Sequence, residues 1–319
     1  MMFGGKKLTF ARIIGYVKWR ISKRIFRKWF PVWQRLGFHL TKNHYYSPIP
    51  DTSALKDELW QRPSELIGVD LNEERQLELL SDFVARFKDE YGRIPANSSQ
   101  VSKPYEYYLN NRYFESVDGE FYYCMIRRFK PRKIIEIGAG WSTLLAAQAV
   151  LKNRDEDSSY DCELVAIEPH PSGFLKAGFP GLSRLILQKA EDVPLPEFET
   201  LTGNDFLFID SSHVLKIGSD VQYEYLEILP RLNRGVIIHS HDIFFPMEYP
   251  KALVLKDCRF WSEQYLLQAF LAFNDSFEVL WAGYYMHLRH PDKLEWAFSS
   301  YKRDAQWPLS GSFWFRRRK

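Results

Sequence analysis

Between residues 131 and 319 the sequence alternates short apolar runs with helical segments, and this alternation constrains the fold more than any other feature. Apolar runs without polar alternation are typical of parallel strands that are buried on both faces. Helical segments between such runs are the crossovers that parallel strands require. The predicted strands are KIIEI (133–137), ELVAIE (163–168), RLILQ (184–188), DFLFID (205–210), GVIIHS (235–240), FEVLWAG (277–283) and GSFWFRR (311–317). The predicted fold class is therefore a doubly wound α/β domain with a seven-stranded sheet.

The predicted helices set the domain organisation. Three helices lie between the strands, at 142–151, about 219–232 and 262–273, and an earlier amphipathic helix spans 72–92. Asn72 is the predicted N-cap of that earlier helix, and Gly92 is its predicted end. We therefore divide the chain into a basic leader (1–47), a helical accessory layer (48–115) and the α/β domain (116–319).

The leader differs in charge from the rest of the chain. Residues 1–50 contain eleven Lys or Arg residues and no acidic residue, whereas the remainder carries 32 basic and 40 acidic side chains. Residues 9–30 have an apolar side and a largely basic opposite side when read as a helix. Such a helix either lies on an anionic membrane surface or packs on the domain with its basic face in solvent. Nucleic acid is a weaker alternative, because no base-reading motif accompanies the charge.

Composition limits the cellular setting. Three widely spaced cysteines provide neither a disulfide framework nor a CxxC metal site, which fits a reducing interior. No segment has the roughly 20 consecutive apolar residues of a membrane-spanning helix, and the N-terminus lacks the apolar core of a signal peptide. The predicted location is cytoplasmic, at the inner face of the membrane if the leader binds lipid. The sequence leaves open whether the chain forms a homo-oligomer.

Two features predict a ligand at the carboxyl ends of the first strands. Gly138-Ala139-Gly140 joins the first strand to a helix, for which Ser142 or Thr143 is the expected cap. Glycines permit a tight turn, and the helix N-terminus offers free N–H groups to a ligand. Glu168 ends the next strand before Pro169, where a carboxylate either accepts both hydroxyls of a ribose or is simply solvated. A dinucleotide fingerprint would have a third glycine at Thr143.

The segments EIGAGWST, AIEP, DFLFIDSSH and GVIIHSHDIF, in that order, resemble class I S-adenosylmethionine-dependent methyltransferases over roughly residues 118–277. The family with the most similar pattern is methyltransferase domain 24. The resemblance implies S-adenosylmethionine as cofactor and a last strand inserted antiparallel between the fifth and sixth. It also implies that Glu168 binds the ribose and that Glu191 or Asp192 faces the adenine. The residues implied to line the methionine part of the cofactor are Glu136, Gly138, Ala139, Gly140 and Ser142.

Acidic and imidazole side chains follow the next two strands. Asp210 and His213 come after the fourth strand, and His241 and Asp242 come after the fifth, so that all four are expected beside the methyl group of the cofactor. Asp210 is also expected to bind the cofactor itself. Similarity to metal-dependent O-methyltransferases implies Asp210, His241 and Asp242 as ligands of a divalent ion. An imidazole in this set favours Zn²⁺, Fe²⁺ or Mn²⁺ over Mg²⁺. The alternative is metal-free catalysis, with His213 or His241 as general base and Asp210 or Asp242 orienting the imidazole. His239 lies inside an apolar run and is predicted to be a core residue.

Other residues are predicted to form the walls of the acceptor pocket. Glu263 and Gln264 are expected to face it, and Asp118 or Glu120 is expected to close over the cofactor. Exposed rings for stacking on an acceptor are expected among Phe244, Phe245, Tyr249, Phe260, Trp261 and Tyr265.

The predicted function is O-methylation of a hydroxyl on a small-molecule or saccharide-type acceptor. The alternatives are an N-methyltransferase of the same fold and a catalytically inactive cofactor-binding adaptor at a membrane surface. An NAD dehydrogenase is disfavoured by the missing third glycine and by the lack of a Tyr-x-x-x-Lys pair in the expected place.

Overall fold

The computed structural model describes residues 28–304 and 310–319, and the chain divides into two compact units, Met1–Lys56 and Asp57–Lys319. In the first unit, residues 28–35 are helical and most of their side chains are exposed. The predicted amphipathic leader helix lies almost entirely outside the described residues. Within the described ranges, no helix is both long enough and apolar enough to cross a membrane. Residues 57–115 belong to the same compact unit as the α/β domain.

The second unit is built on the predicted seven-stranded sheet. The strands are β1 (Lys133–Ile137), β2 (Glu163–Ile167), β3 (Arg184–Ile186), β4 (Phe206–Ile209), β5 (Ile237–Ser240), β6 (Phe277–Ala282) and β7 (Phe313–Arg317). Their order in the sheet is β3-β2-β1-β4-β5-β7-β6. The first five strands are parallel, and β7 is antiparallel to both β5 and β6. The predicted fold class, including the inserted last strand, is confirmed.

Helices lie on both faces of the sheet and also form the accessory layer. They are α1 (Glu73–Tyr91), α2 (Asp118–Phe129), α3 (Trp141–Glu156), α4 (Gly173–Ala177), α5 (Leu195–Glu199), α6 (Asp220–Tyr223), α7 (Lys251–Leu255), α8 (Glu263–Leu271), α9 (Gly283–Arg289) and α10 (Pro291–Ala297). One apolar cluster packs β-sheet side chains such as Phe206, Phe208 and Trp314 against α1, α2 and α3. The other packs Leu207 and Ile209 against the opposite layer. Adjacent strand residues thus face opposite sides, and both sides are buried, as expected for a parallel sheet.

One predicted helix cap has the right position but no capping bond, and another is wrong. Asn72 is the N-cap residue of α1, as predicted, but it adopts a left-handed conformation, and its side-chain amide donates to the carbonyl of Val279 at 3.2 Å instead of capping the helix. The N-cap of α3 is Gly140, not Ser142 or Thr143. Thr143 still contributes, because its Oγ1 accepts the N–H of Gly140 at 3.0 Å. In both places a tertiary or loop contact replaces the local cap.

The helix predicted over 219–232 is three short segments: α6, a π-helical turn (Glu224–Ile228) and a 3₁₀ turn (Leu229–Arg231). Pro230 has no N–H to continue an α-helix, so a different turn follows at this point. The wider π-turn carries Tyr225 into the core, where its hydroxyl contacts Ser240 and Glu263. This turn therefore places the Tyr225 hydroxyl in contact with Glu263, one of the residues predicted to face the acceptor pocket.

Candidate active site

The turn after β1 places bare backbone against the end of β4. Gly138 has a φ of 81°, and a Cβ atom added there would lie 1.8 Å from the carbonyl oxygen of Asp210. No side chain fits at this position. The Gly138 N–H donates to the Ile167 carbonyl at 3.0 Å, and the Asp210 N–H donates to the Ile137 carbonyl at 2.9 Å. The glycine turn, β2 and the first residue after β4 are thereby held in one rigid arrangement.

A cavity of about 420 Å³ opens above this turn. Tyr113, Trp141 and Phe174 supply apolar walls, and Glu168 lies at the end of β2, where its Oε1 accepts the N–H of His170 at 2.7 Å. The predicted cofactor residues that line the cavity are Gly138, Ala139, Gly140, Ser142, Glu168 and Asp210. The structure therefore brings together six of the eight residues predicted to bind the cofactor.

Glu136 and Glu191 lie elsewhere. Glu136 is fully buried beneath the glycine turn, and its Oε1 accepts the hydroxyl of Tyr122 at 2.9 Å. Burial raises the pKa of Glu136 to about 7. Its alternating position on β1 turns the side chain into the core, so it does not line the cavity. Glu191 is in a 3₁₀ turn, 3.8 Å from the ammonium of Lys189, and does not line this cavity either.

A second cavity, of about 800 Å³, lies beside the first and contains the acidic and imidazole residues at the ends of β4 and β5. His213 Nε2 is 3.3 Å from Asp210 Oδ1 and 3.5 Å from Asp242 Oδ2. His241 Nδ1 is 3.5 Å from the same atom of Asp210 and 3.8 Å from that of Asp242. Both imidazoles therefore lie beside the same two carboxylates, and we call these four residues the His-Asp cluster.

The outer nitrogen of each imidazole is held by a further carboxylate. His213 Nδ1 donates to Glu263 Oε2 at 2.8 Å, and the other oxygen of Glu263 accepts the hydroxyl of Tyr225 at 2.8 Å. His241 Nε2 donates to Asp118 Oδ2 at 3.2 Å. Asp118 also accepts the Gly311 N–H at 3.0 Å. These contacts fix both ring orientations, so that the inner nitrogens face Asp210 and Asp242.

The backbone at the cluster is strained. His213 and Asp242 have φ values of 59° and 55°, in the left-handed region that residues other than glycine seldom adopt. Such a conformation costs about 1–3 kcal/mol per residue and persists only where surrounding contacts impose it. At His213 those contacts include the carbonyl, which accepts the N–H groups of Ser262 and Glu263. The left-handed turns direct both side chains back over the strand ends.

Burial and the charges within the cluster shift the pKa values of His213, His241 and Asp210. Burial by itself lowers the pKa of His213, yet hydrogen bonds to Asp210 and Glu263 raise it well above its ordinary value. Burial likewise opposes the charge of His241, but Asp210 and Asp242 raise its pKa well above the ordinary value. Burial favours the neutral form of Asp210, but the two imidazoles hold its pKa far below the usual range. Without a bound cation, the surrounding carboxylates therefore favour the protonated form of both imidazoles.

The donor atoms fit a divalent transition metal. Metal bonds of about 2.0–2.2 Å in tetrahedral geometry separate the ligand atoms by about 3.3–3.6 Å. The four nitrogen–oxygen distances in the cluster span 3.3–3.8 Å. Asp210, His241 and Asp242 each direct one ligand atom to a common region within 4.8 Å. Outer carboxylates on both imidazoles are the usual second layer of such a site.

Several residues have roles that differ from those predicted. Glu263 is fully buried behind His213 and does not face the cavity. Gln264 is buried and its Oε1 accepts the N–H of Phe244 at 3.1 Å. Glu120 is buried against Ser300, not over the cofactor cavity, whereas Asp118 lines the acceptor side and holds His241.

The predicted stacking rings are mostly structural. Phe244, Phe245 and Tyr249 are core residues, and Phe260 is half-buried outside both cavities. Tyr265 is exposed and bonds Glu248. Trp261 alone of the six lines the second cavity, where its ring lies 4.6 Å from that of His213. His239 is buried, stacks on Phe208 at 3.9 Å and bonds Ser312, in agreement with its prediction as a core residue.

The region of the chain that contains this site is similar in sequence to known proteins. Residues 135–243, which contain the glycine turn and the His-Asp cluster, match a family described as a methyltransferase domain. An uncharacterised protein of Archaeoglobus fulgidus is 33% identical over 181 residues, covering 54% of this chain and 77% of its own length. The crystal structure of an O-methyltransferase from Bacillus cereus in complex with SAH aligns with 92% of this chain and 100% of its own, at 14% sequence identity and a TM-score of 0.34.

Proposed function

Because the chain belongs to the class I S-adenosylmethionine-dependent methyltransferases, we propose that it transfers the methyl group to a hydroxyl of a small-molecule or saccharide-type acceptor. The observation that carries this proposal is that Asp210 and Tyr113 line both cavities. A cofactor above the glycine turn would thus present its methyl group toward the larger cavity. Methyl transfer mainly requires the nucleophile, the methyl carbon and the sulfur to be in line, and such positioning contributes roughly 7–11 kcal/mol.

A divalent ion held by the His-Asp cluster is the second part of the proposal. The sequence predicted Asp210, His241 and Asp242 as ligands, and these three residues offer ligand atoms within 4.8 Å of one another. We propose His213 as a fourth ligand, because its Nε2 lies 3.3 Å from Asp210 and 3.5 Å from Asp242. A bound divalent ion orients a hydroxyl and lowers its pKa. Two imidazoles and two carboxylates suit Zn²⁺, Fe²⁺ or Mn²⁺ better than Mg²⁺. Glu263 and Asp118 keep the outer nitrogens protonated, which leaves the inner nitrogens as electron-pair donors.

The metal-free alternative is less well supported. A general base must be unprotonated before it takes a proton from the acceptor. The carboxylates around His213 and His241 raise both pKa values well above the ordinary value, which favours the protonated form and disfavours either imidazole as a base. Binding of a cation would instead displace these protons. An N-methyltransferase would need no alkoxide and would leave the cluster without a chemical task.

Mass spectrometry with a deuteromethyl-labelled cofactor tests methyl transfer directly. The full chain is incubated with panels of saccharides and other small hydroxyl and amine compounds, and the products are searched for the labelled methyl group. Label on oxygen supports the proposal, and label only on nitrogen favours the N-methyltransferase. Saturable binding of cofactor with no labelled product in any panel favours the inactive adaptor.

Metal analysis of the purified protein tests the cation. We expect about one Zn, Fe or Mn per chain, removal by a chelator with loss of transfer, and recovery on adding back one of these metals. His213→Gln is expected to lower metal content and transfer together. His290→Gln is the control, because His290 also bonds a carboxylate, Glu73, at 2.8 Å but lies outside both cavities. Full transfer by metal-free protein would contradict this part of the proposal.

We also propose that the chain works in the cytoplasm and that residues 1–36 contact anionic membrane. The support is the excess of basic over acidic residues in the leader. Sedimentation with vesicles of phosphatidylcholine, with and without phosphatidylserine, tests this contact. Deleting residues 1–36 should leave methyl transfer intact and abolish association with the anionic vesicles. Equal association of the full and deleted chains would refute it.

A further inference from the structure

Three cationic side chains line the acceptor cavity that contains the His-Asp cluster. They are Arg112, Lys256 and Arg259, and all three residues are exposed. Within residues 28–304 and 310–319, no carboxylate lies at ion-pair distance from any of them, although many other exposed Lys and Arg residues are paired. Lys251, on the same short helix that precedes Lys256, shows the contrast, because it pairs with Asp57 at 2.7 Å. Three cations without an ion pair among the described residues thus line one cavity.

The loop that carries Arg112 is firmly built. The side chain of Asn111 is buried, and its Oδ1 accepts the N–H groups of Tyr113 and Phe114 at 2.9 and 2.8 Å. Its Nδ2 donates to the carbonyl of Phe114 at 2.7 Å. Arg112 itself has a φ of 72°, a left-handed conformation that an arginine adopts only under such constraint. The local turn therefore fixes the direction in which the Arg112 side chain leaves the backbone.

The loop between α7 and α8 carries the other two cations. The Lys256 N–H donates to the Ala252 carbonyl at 2.9 Å, and the Arg259 N–H donates to the Leu253 carbonyl at 2.9 Å. Between them Cys258 has a left-handed φ of 53°. The Arg259 guanidinium lies 5.2 Å from the centre of the Trp261 ring, which also lines the cavity. Arg259 is thereby held beside the cavity by its backbone and by an aromatic face.

Besides Asp118, which holds His241, two carboxylates outside the cluster line the same cavity, and neither forms an ion pair with the cations. Glu115 Oε1 accepts the backbone N–H of Arg112 at 3.0 Å and so shapes the loop. Asp257 is exposed and has no ion pair among the described residues. The cavity is therefore lined both by the His-Asp cluster and by three cations that have no ion pair among the described residues. This lining matches a ligand that carries both a hydroxyl and a negative charge.

From this placement we infer that the acceptor is anionic: a saccharide or similar small molecule that bears a phosphate or carboxylate group, bound by Arg112, Lys256 and Arg259. The inference rests on the proposed methyl transfer and names the substrate class of that same site. Guanidinium groups bind oxyanions through paired, charge-assisted hydrogen bonds, and lysine contributes a point charge. The anionic group would thus anchor the acceptor while its hydroxyl reaches the His-Asp cluster.

Binding of inorganic pyrophosphate tests the anion site independently of catalysis. Calorimetric titrations use chelator-treated full chain with S-adenosylhomocysteine, so that pyrophosphate meets no bound metal. We expect saturable binding in the wild type and at least a tenfold higher Kd in the triple variant Arg112→Gln, Lys256→Gln, Arg259→Gln. The matched control is Lys251→Gln, which should bind as the wild type does. No binding to the wild type, or equal Kd values in wild type and triple variant, would overturn the inference.

Transfer assays separate this inference from the proposed function. The deuteromethyl assay is run on neutral monosaccharides, their phosphate monoesters and uronic acids, so that the two anionic sources are compared. We expect label on an anionic class, with KM at least tenfold higher in the triple variant and kcat nearly unchanged. Label on neutral sugars with an unchanged KM in the triple variant would refute the anionic acceptor and leave methyl transfer intact. If no sugar is labelled but pyrophosphate binding still depends on Arg112, Lys256 and Arg259, the result would count against a saccharide acceptor and support the anion site.

Discussion

Replacing Gly138 with alanine is the sharpest test of how the cofactor turn and the His-Asp cluster depend on each other. The new Cβ would lie 1.8 Å from the Asp210 carbonyl oxygen, whereas an ordinary van der Waals contact begins at 3.4 Å. Either the turn or the end of β4 must therefore move by about 1.6 Å. The left-handed φ of 81° adds a backbone cost of about 1–2 kcal/mol for alanine. With about 1–3 kcal/mol for overpacking, we expect the variant to lose about 2–5 kcal/mol of stability.

The effect on function should exceed the effect on folding. Misplacement of reacting groups by about 1 Å lowers rates by about 100-fold, and Asp210 lines both cavities. We expect kcat to fall at least 100-fold and the Kd of the cofactor to rise in Gly138→Ala. The measurements are chemical unfolding, calorimetry with S-adenosylhomocysteine, and the deuteromethyl assay below the unfolding temperature.

Two other glycines provide controls for this variant. A Cβ at Gly140 meets no atom within 4 Å, but it projects where Gly140 lines the cofactor cavity. Gly140→Ala should therefore weaken cofactor binding with little change in kcat at saturation. Gly173, at the start of α4, also has free space and lines neither cavity, so Gly173→Ala should change nothing. A Gly138→Ala variant with the stability and kcat of the wild type would show that the turn and β4 are not coupled as described.

The other predictions concern single carboxylates. Asp210→Asn should abolish transfer with nearly unchanged cofactor affinity, whereas Glu168→Ala should raise the Kd of the cofactor and spare kcat at saturation; equal losses of affinity in both variants would contradict this division. Glu120 has a folded-state pKa of about 7 because it is buried, against an ordinary value of 4.5. Its contribution to stability is therefore complete below pH 4.5 and is lost as the pH rises through about 7, by about 3 kcal/mol. Glu120→Gln should remove this loss. Between pH 5 and pH 8.5, the free energy of urea unfolding of the variant, relative to that of the wild type, should therefore rise by about that amount. A difference between the two proteins that does not change with pH would contradict the prediction.

The sequence predicted the sheet well because apolar runs and glycine turns are local signals. All seven strands lie within the predicted ranges, and the antiparallel place of β7 followed from the family resemblance. The α6 region was less predictable, since the choice of a π-turn at Glu224 depends on burying Tyr225 against Ser240 and Glu263. Asn72 shows the same limit: a capping residue by composition, it bonds a strand 207 residues away.

The candidate site was predictable only in part. Strand ends indicated Asp210, His241 and Asp242, because parallel strands place their carboxyl ends at one edge. The outer carboxylates depend on contacts that no local pattern records, since Glu263 reaches His213 from α8 and Asp118 reaches His241 from the first residue of α2. Glu136 was predicted to contact the cofactor, and its burial follows from the two-residue period of β1. Sequence spacing thus identifies strand ends more reliably than the direction of individual side chains.

A single carboxylate, Asp210, is part of the wall of both cavities. Ligands in the two cavities are therefore thermodynamically linked, and the factor by which an acceptor changes cofactor affinity must equal the factor by which the cofactor changes acceptor affinity. Removal of the positive sulfonium charge on conversion to S-adenosylhomocysteine changes the field at Asp210 by itself. We therefore expect S-adenosylhomocysteine and the intact cofactor to differ in the factor by which each changes the affinity of the acceptor. Release of the methylated product would then depend on which form of the cofactor is bound.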